Sequence, residues 1–380
     1  MNPWIRAPDE LARFVTSLEG CRALALDTES DSLHHHFEKV CLLQLATDRG
    51  EARLVDPLAL RDLDPLAPVF ADSAVVKVLH GADYDVTTLK RDFGFRFAGL
   101  FDTMIAARFL GLREIGLQAL AREELGVDLS KDSQKDDWSR RPLTPRQEAY
   151  ALADVRHLLP LYDRLAERLR GRGRLSWVEE ECAAVAALEP ARRKKDPEAY
   201  QRIKGAGRLA PRALAVLREL NAWREARAEA TDVPPFKVLG NEALVTLAER
   251  PPRTLEELAR VRGVLPRLRN QAPALLEAAA HALRLPEAEL PRLARAPRPI
   301  ASEEARRRAA AVKSWRAEEA RRSALDVSVV LPQRLIDRLA EAAPRDLAGL
   351  GAIEGLRRWR VEAYGTALLA ALANAEGRLS

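Results

Sequence analysis

Four short apolar runs, at residues 22–28, 40–46, 52–56 and 75–80, have the length of strands and are bounded by turn residues or charges. They predict strands of one sheet. Between and after them, apolar residues recur at three- and four-residue spacing over 83–92, 103–110, 117–125 and a long stretch 144–170, the signature of helices with one buried face. Thr144-Pro145-Arg146-Gln147 adds a start signal to the last of these: a capping threonine, a proline at the first helical position and a glutamine three residues after the cap. Residues 1–170 therefore read as one mixed α/β domain.

From about residue 171 the strand pattern fades, and the chain becomes rich in Ala, Leu, Arg and Glu, punctuated by Pro234-Pro235, Pro251-Pro252 and Pro297-Arg298-Pro299. An internal repeat lies here. Residues 238–263 align without gaps on 330–355, with ten of 26 positions identical at an offset of 92, and the same offset superposes Trp223-Arg224 on Trp315-Arg316. The expected order is an α/β domain at 1–170, a linker helix region at 171–204, and two small all-α domains at 205–290 and 300–378. Linkers are expected near Arg192-Arg193-Lys194-Lys195 and over 286–299.

Composition sharpens this division. The 47 % apolar content supports a substantial core, and the net charge of the chain is only +5. That charge is unevenly placed: residues 1–170 carry 23 basic and 28 acidic side chains, a net −5, whereas 171–380 carry 38 and 28, a net +10. An acidic front suits carboxylate chemistry, and a basic rear suits capture of a polyanion. Cys21, Cys41 and Cys182 show no metal-type spacing and are too few for a disulfide framework, which fits a reducing compartment. The first residues have no basic-then-apolar leader pattern, and no segment reaches the ~18 uncharged apolar residues of a membrane span. A soluble, cytoplasmic protein is expected, with no membrane partner.

The candidate chemistry rests on carboxylates. Asp27 and Glu29 close the first strand, and side chains two apart on a strand share a face. Asp85 follows the fourth strand at the start of a helix, and Tyr150 and Asp154, four apart on a helix, lie one above the other. Each alone has a plain structural role: Asp85 as an acid at a helix N-terminus, Asp154 as a partner of Arg146 or His157, Tyr150 as a core aromatic. Brought to one point, four carboxylates repel and raise one another's pKa, and divalent cations relieve that. Hard oxygen donors without cysteine favour Mg²⁺ or Mn²⁺ over zinc. Two such ions roughly 3.5–4 Å apart would serve both the attacking and leaving oxygens of a phosphodiester hydrolysis. Tyr150, with an ordinary pKa of about 10, suits orienting the attacking water more than removing its proton.

The combination resembles the Asp-Glu-Asp-Asp superfamily of 3′–5′ exonucleases, in the subgroup with a Tyr-x-x-x-Asp third motif. The motifs stand here as Leu26-Asp27-Thr28-Glu29, His80-Gly81-Ala82-Asp83-Tyr84-Asp85 and Tyr150-Ala151-Leu152-Ala153-Asp154. Residues 39–45, Phe101-Asp102-Thr103 and 129–144 are similar to the ribonuclease D family in particular, and the trailing repeats resemble HRDC domains, the second more divergent for want of the Pro-Pro pair. The resemblance implies a ribonuclease H-like fold that removes nucleoside 5′-monophosphates one at a time from single-stranded RNA 3′ ends, in maturation of tRNA precursors and trimming of small RNAs; a monomer is expected. It implies that Asp27, Glu29, Asp85 and Asp154 hold two metal ions and that Tyr150 positions the nucleophile; Thr28, Gln44, His80, Gln134 and Trp138 sit in the matching motifs and are candidates to line the substrate path.

Two other readings stay open at this level. One is a 3′–5′ exonuclease acting on DNA, since these carboxylates serve both sugars. The other is a non-catalytic RNA-binding protein built on the basic helical domains. His34-His35-His36 cannot all face one ion on regular backbone, and reads as a polar loop turned to substrate or to solvent. Asp102 reads as a helix N-cap rather than a fifth ligand. Residues 192–195, Arg306-Arg307-Arg308 and Arg321-Arg322 are either phosphate contacts or solvated helix faces. No phosphate-binding Gly-x-x-x-x-Gly-Lys loop accompanies the HRDC resemblance, so no helicase is expected. The helical domains are expected to flank the nuclease face as a basic passage, such that removing 205–380 weakens RNA binding yet leaves weak hydrolysis.

Overall fold

Each of the four predicted strands forms, and two shorter ones join them: β1 (Trp4–Ile5), β2 (Ala23–Ser30), β3 (Val40–Thr47), β4 (Ala52–Val55), β5 (Val76–Leu79) and β6 (Leu100–Asp102). These positions come from a computed structural model, which describes residues 2–191, 196–264, 266–293 and 302–376. The sheet order is β1-β4-β3-β2-β5-β6, with β1 parallel to β4, β3 antiparallel to β4, and β2, β5 and β6 mutually parallel. The sequence pattern missed β1 and β6 because they are two and three residues long, too short to show alternation. All eight residues of β3 are buried. Leu43 and Leu45 join the larger core on one face; Cys41 and Leu42 join Trp4, Leu54, Trp138, Leu143 and Leu152 in a second core.

The stretch predicted as one helix over 144–170 is two, Pro145–Arg156 and Leu158–Gly171, broken at His157. Pro160 explains the break, since it offers no N–H to the Arg156 carbonyl and its ring crowds that oxygen. The start of the first helix follows the sequence signal: the Thr144 hydroxyl accepts from the Gln147 N–H at 3.3 Å, and the Gln147 side chain accepts from the Thr144 N–H at 2.9 Å.

The repeat seen in the sequence is a repeat of structure. The first copy runs Pro211–Thr231, Pro235–Val238, Asn241–Glu249, Leu255–Ala259 and Ala272–Arg284. The second runs Glu303–Ser323, Val327–Val330, Gln333–Ala342, Leu347–Gly351 and Arg358–Glu376, and four of its five helices start 92 residues after their counterparts. Even an internal bond recurs at that offset: Arg224 donates to the Leu239 carbonyl at 3.2 Å, and Arg316 to the Leu331 carbonyl at 3.0 Å.

The two copies belong to different compact units. Residues 1–29, 40–191 and 299–380 form one unit; 30–39 and 192–298 form the other. This corrects the expectation that both helical domains could be removed together. Val312, Leu335, Trp359 and Leu368 of the second copy share one continuous core with Phe109, Leu165 and Val178, so cutting at 205 would open the interior of the sheet-bearing unit. The basic run 192–195 and the linker segment 294–301 lie outside the described residues. No helix among the described residues is long and apolar enough to cross a membrane. All three cysteines are buried, and none is in a disulfide.

Candidate active site

β2 delivers Asp27 and Glu29 to one face, as the two-residue spacing requires, and the helix Pro145–Arg156 delivers Tyr150 and Asp154 from one of its faces. Asp27, Glu29 and Asp154 each offer a carboxylate oxygen within 4.8 Å of the others. Asp85, buried in the first turn of the helix Asp83–Phe93, adds its charge to the same neighbourhood, while the Thr28 hydroxyl donates a hydrogen bond to its Oδ1. Four carboxylates from three separate segments thus converge, and one oxygen of the fourth is held by the strand that carries the first two.

The electrostatics reflect that crowding. Asp27 lies well above the usual carboxylate range, through burial first and then the charges of Asp85 and Asp154. Glu29 is raised likewise by burial, then by Asp27, Asp154, Asp85 and Asp136. Burial pushes Asp85 up to about 7 against the opposing Thr28 bond, and pushes Asp154 up to about 6 against a hydrogen bond from Tyr150. Tyr150 rises through burial and the charges of Asp154, Glu29 and Asp27, so its hydroxyl keeps its proton. Such a set needs either protons or cations. Asp154 Oδ1 is buried with no hydrogen-bond partner, an oxygen that a cation would satisfy. The all-oxygen donor chemistry fits a hard divalent metal.

The five residues expected along a substrate path separate into groups. Gln134 is exposed, in a turn closed by its N–H to the Lys131 carbonyl. His80 is partly buried, its Nδ1 2.9 Å from the Thr103 hydroxyl, and burial lowers its pKa against the pull of Asp102. Thr28 is buried and spent on Asp85. Gln44 and Trp138 are corrections: both lie in the interior, at 0 % and 1 % exposure, where no strand of substrate reaches them. Trp138 packs its ring against that of Tyr150, with centroids 6.0 Å apart. Gln44 sits on β3, which is covered on both faces, and its polarity misled the sequence reading.

One contributor escaped the sequence. Asp136 adds negative charge beside Glu29 and lies 3.4 Å from Arg146; its only signal was the Asp136-Asp137 pair ahead of Trp138. Asp102 is a helix cap, as expected, accepting from Met104 and Ile105 N–H at 2.7 and 3.3 Å. Its carboxylate also accepts from Gly81 and Ala82 N–H at 3.0 and 2.9 Å, which ties down the turn leading to Asp85. The three histidines 34–36 do not enter the carboxylate group.

Comparison with known proteins agrees with this geometry. Residues 2–170 match the 3′–5′ exonuclease family, and residues 213–278 and 305–372 each match the HRDC domain. The ribonuclease D of Pseudomonas paraeruginosa is 36 % identical over 382 residues, covering 98 % of both chains, and that of Acidiphilium cryptum is 35 % identical over 95 % of this chain and 90 % of its own. Among solved structures, Escherichia coli RNase D, described as an exoribonuclease involved in structured RNA processing, superposes with a TM-score of 0.68 at 28 % identity, covering 98 % of this chain and 99 % of its own. The catalytic core of RRP6 from Trypanosoma brucei gives 0.67 at 29 % identity over 74 % of this chain and 79 % of its own. With an exonuclease domain, paired HRDC domains and relatives matched along almost their whole length, the chain belongs to the ribonuclease D family of 3′–5′ exoribonucleases.

Proposed function

We propose that the acidic cluster is the catalytic centre, that Asp27, Glu29, Asp85 and Asp154 hold two divalent cations, Mg²⁺ or Mn²⁺, and that the enzyme trims single-stranded RNA 3′ ends, tRNA precursors among them. The observation that carries this is the convergence of Asp27, Glu29 and Asp154 oxygens within 4.8 Å, with one buried Asp154 oxygen unpartnered. When bound, the cations would lower the pKa of water and stabilise the charge that builds on the phosphate during in-line displacement. Tyr150, protonated and hydrogen-bonded to Asp154, orients the attacking water through its hydroxyl. Trp138 packs against the Tyr150 ring, and the Thr28 hydroxyl donates to one oxygen of Asp85. The products are nucleoside 5′-monophosphates. The domains proposed are the nuclease at 1–170, a linker region at 171–204, and HRDC domains at 205–290 and 300–378, in a monomeric, cytoplasmic enzyme.

The test uses end-labelled RNA with an unpaired 3′ tail, in Mg²⁺ or Mn²⁺. The wild type shortens it stepwise and releases mononucleotides, Asp85→Asn is slower by on the order of 10³-fold, and Tyr150→Phe by roughly 10²-fold. Undiminished activity in Asp85→Asn would sink the assignment. Equal hydrolysis of a matched DNA strand would move the substrate class to nucleic acid in general.

A further inference from the structure

Asp85 owes its place to the turn 79–82, which runs from the end of β5 into the helix Asp83–Phe93 that carries it. Each of those four residues bonds to Asp102 or Thr103. β6 lies beside β5 in a register that sets Leu79 opposite Asp102. The Thr103 hydroxyl donates to the Leu79 carbonyl at 3.0 Å, so its oxygen takes the Nδ1 proton of His80, 2.9 Å away. Gly81 and Ala82 give their N–H groups to the two different oxygens of Asp102, Oδ1 and Oδ2. Gly81 permits this turn: it stands at φ 72°, and a Cβ on it would press into the Met104 side chain.

The clamp has its own backing. The Asp102 N–H donates to Cys182 Sγ at 3.2 Å, on the helix Leu175–Ala186, and Asp102, Thr103 and Cys182 are all buried. We propose that Asp102 and Thr103, backed by Cys182, are positioning residues that hold Asp85 at the metal site and so set the affinity of the enzyme for divalent cations. The proposal deepens the metal-site reading given above and rests on it.

Helix capping alone does not account for the pair. The helix Thr103–Phe109 needs an acceptor for the Met104 and Ile105 N–H groups, and Asp102 Oδ1 supplies it. Oδ2 and the Thr103 hydroxyl reach across to the neighbouring strand and its turn instead. Asp102 is no cation ligand either, because four N–H donors occupy the lone pairs of its two oxygens. Asp85 is thus supported twice: the Thr28 hydroxyl holds its carboxylate from β2, and the clamp fixes the start of its helix from β6. Such support governs cation affinity, since a ligand already in place loses little freedom when the ion binds. Cys182, which the chemistry does not use, gains a task here: its sulfur satisfies a buried N–H that would otherwise stand unpaired.

The experiment measures Mn²⁺ binding to the full-length chain without RNA, by electron paramagnetic resonance of the free ion. Thr103→Val, matched in shape but lacking the hydroxyl, weakens binding roughly 10-fold, and Asp102→Asn, which sets an amide NH₂ against an N–H of the turn, roughly 100-fold. Thr103→Ser restores the wild-type affinity. Cys182→Ala has a smaller effect in the same direction, which Cys182→Ser reverses. With RNA, the Mn²⁺ concentration for half-maximal cleavage rises in step with the binding constant, while KM for RNA at saturating Mn²⁺ does not move, because these side chains are buried. A pair that served only the stability of the fold would lower the melting temperature and leave the affinity of the folded molecules unchanged. Wild-type Mn²⁺ affinity in either Thr103→Val or Asp102→Asn, measured on folded protein, overturns the proposal; should Asp102→Asn not fold, Thr103→Val decides alone. A wild type that binds no Mn²⁺, or whose binding is untouched by Asp85→Asn, strikes the metal-site reading itself, and the proposal with it.

Discussion

The two helical repeats are built to one plan and used in opposite ways. Both open with a 21-residue helix that ends in a left-handed residue, Asp232 in the first and Ala324 in the second, at φ 48° and 52°. In the first, the Asp232 carboxylate reaches out and takes hydrogen bonds from His35, His36 and Phe37 of the loop 30–39. In the second, Ala324 has no such group, and the corner docks by backbone. Its carbonyl lies so near Gly111 that a Cβ there would collide with it, and the neighbouring Ser323 carbonyl accepts from Arg174 at 2.8 Å. Polar side chains latch the first repeat to a loop; close packing welds the second to the nuclease.

The weld is extensive. Trp359 stacks on Trp177 with centroids 4.6 Å apart and meets Phe109 edge-on at 5.3 Å. Glu180, on the helix Leu175–Ala186, accepts from the Arg358 and Trp359 N–H groups at 2.7 and 2.9 Å, and so caps the start of the helix Arg358–Glu376 from outside it. Glu181 accepts from Trp359 Nε1 at 3.0 Å and from Arg360 at 2.5 Å. An aromatic core with both carboxylates satisfied is what a permanent interface needs.

Trp359→Ala should therefore have the largest effect, lowering stability by roughly 3–5 kcal/mol and taking nuclease activity down with it. Denaturant unfolding followed beside mononucleotide release checks this; a well-folded, active variant would erase the distinction between the repeats.

A second expectation concerns pH and metal. Asp85 and Asp154, raised to about 7 and about 6, hold protons in the folded state over a range where the unfolded chain has released them. Metal-free stability of the sheet-bearing unit should thus fall as pH rises from about 5 to about 8, by on the order of 4 kcal/mol, and saturating Mn²⁺ should reverse the loss. The second repeat should follow this change and the first should not, which calorimetry on the full chain resolves as one moving and one stationary transition. Smallest is Asp232→Ala, which removes the latch. Its half-exposed carboxylate makes the expected cost only about 0.5–1 kcal/mol, and hydrogen exchange should rise in the loop 30–39 without loosening the second repeat.

Much of the site was legible in advance because periodicity translates directly into shared faces. Asp27 with Glu29 at a spacing of two, and Tyr150 with Asp154 at four, could be placed without coordinates, and the capping signal at Thr144 located the helix that carries the second pair. Polarity within a motif was less informative. Gln44 and Trp138 sit in matching stretches yet are buried, and Thr28 faces Asp85 instead of a ligand, because a side chain's direction depends on what packs above it.

The repeat offset, the strand-and-helix alternation and the carboxylate set are properties of the chain alone, since each follows from local spacing and residue chemistry. Tertiary structure decided what covers each apolar face. The same amphipathic helices could bury themselves within a free-standing module or against a neighbour, and only the meeting of Trp359 with Trp177 and of Asp232 with the loop 30–39 settled which repeat did which. A hydrophobic stripe specifies that a face must be buried; it carries no address for the partner, which comes from shape and hydrogen-bond complementarity between segments far apart in sequence.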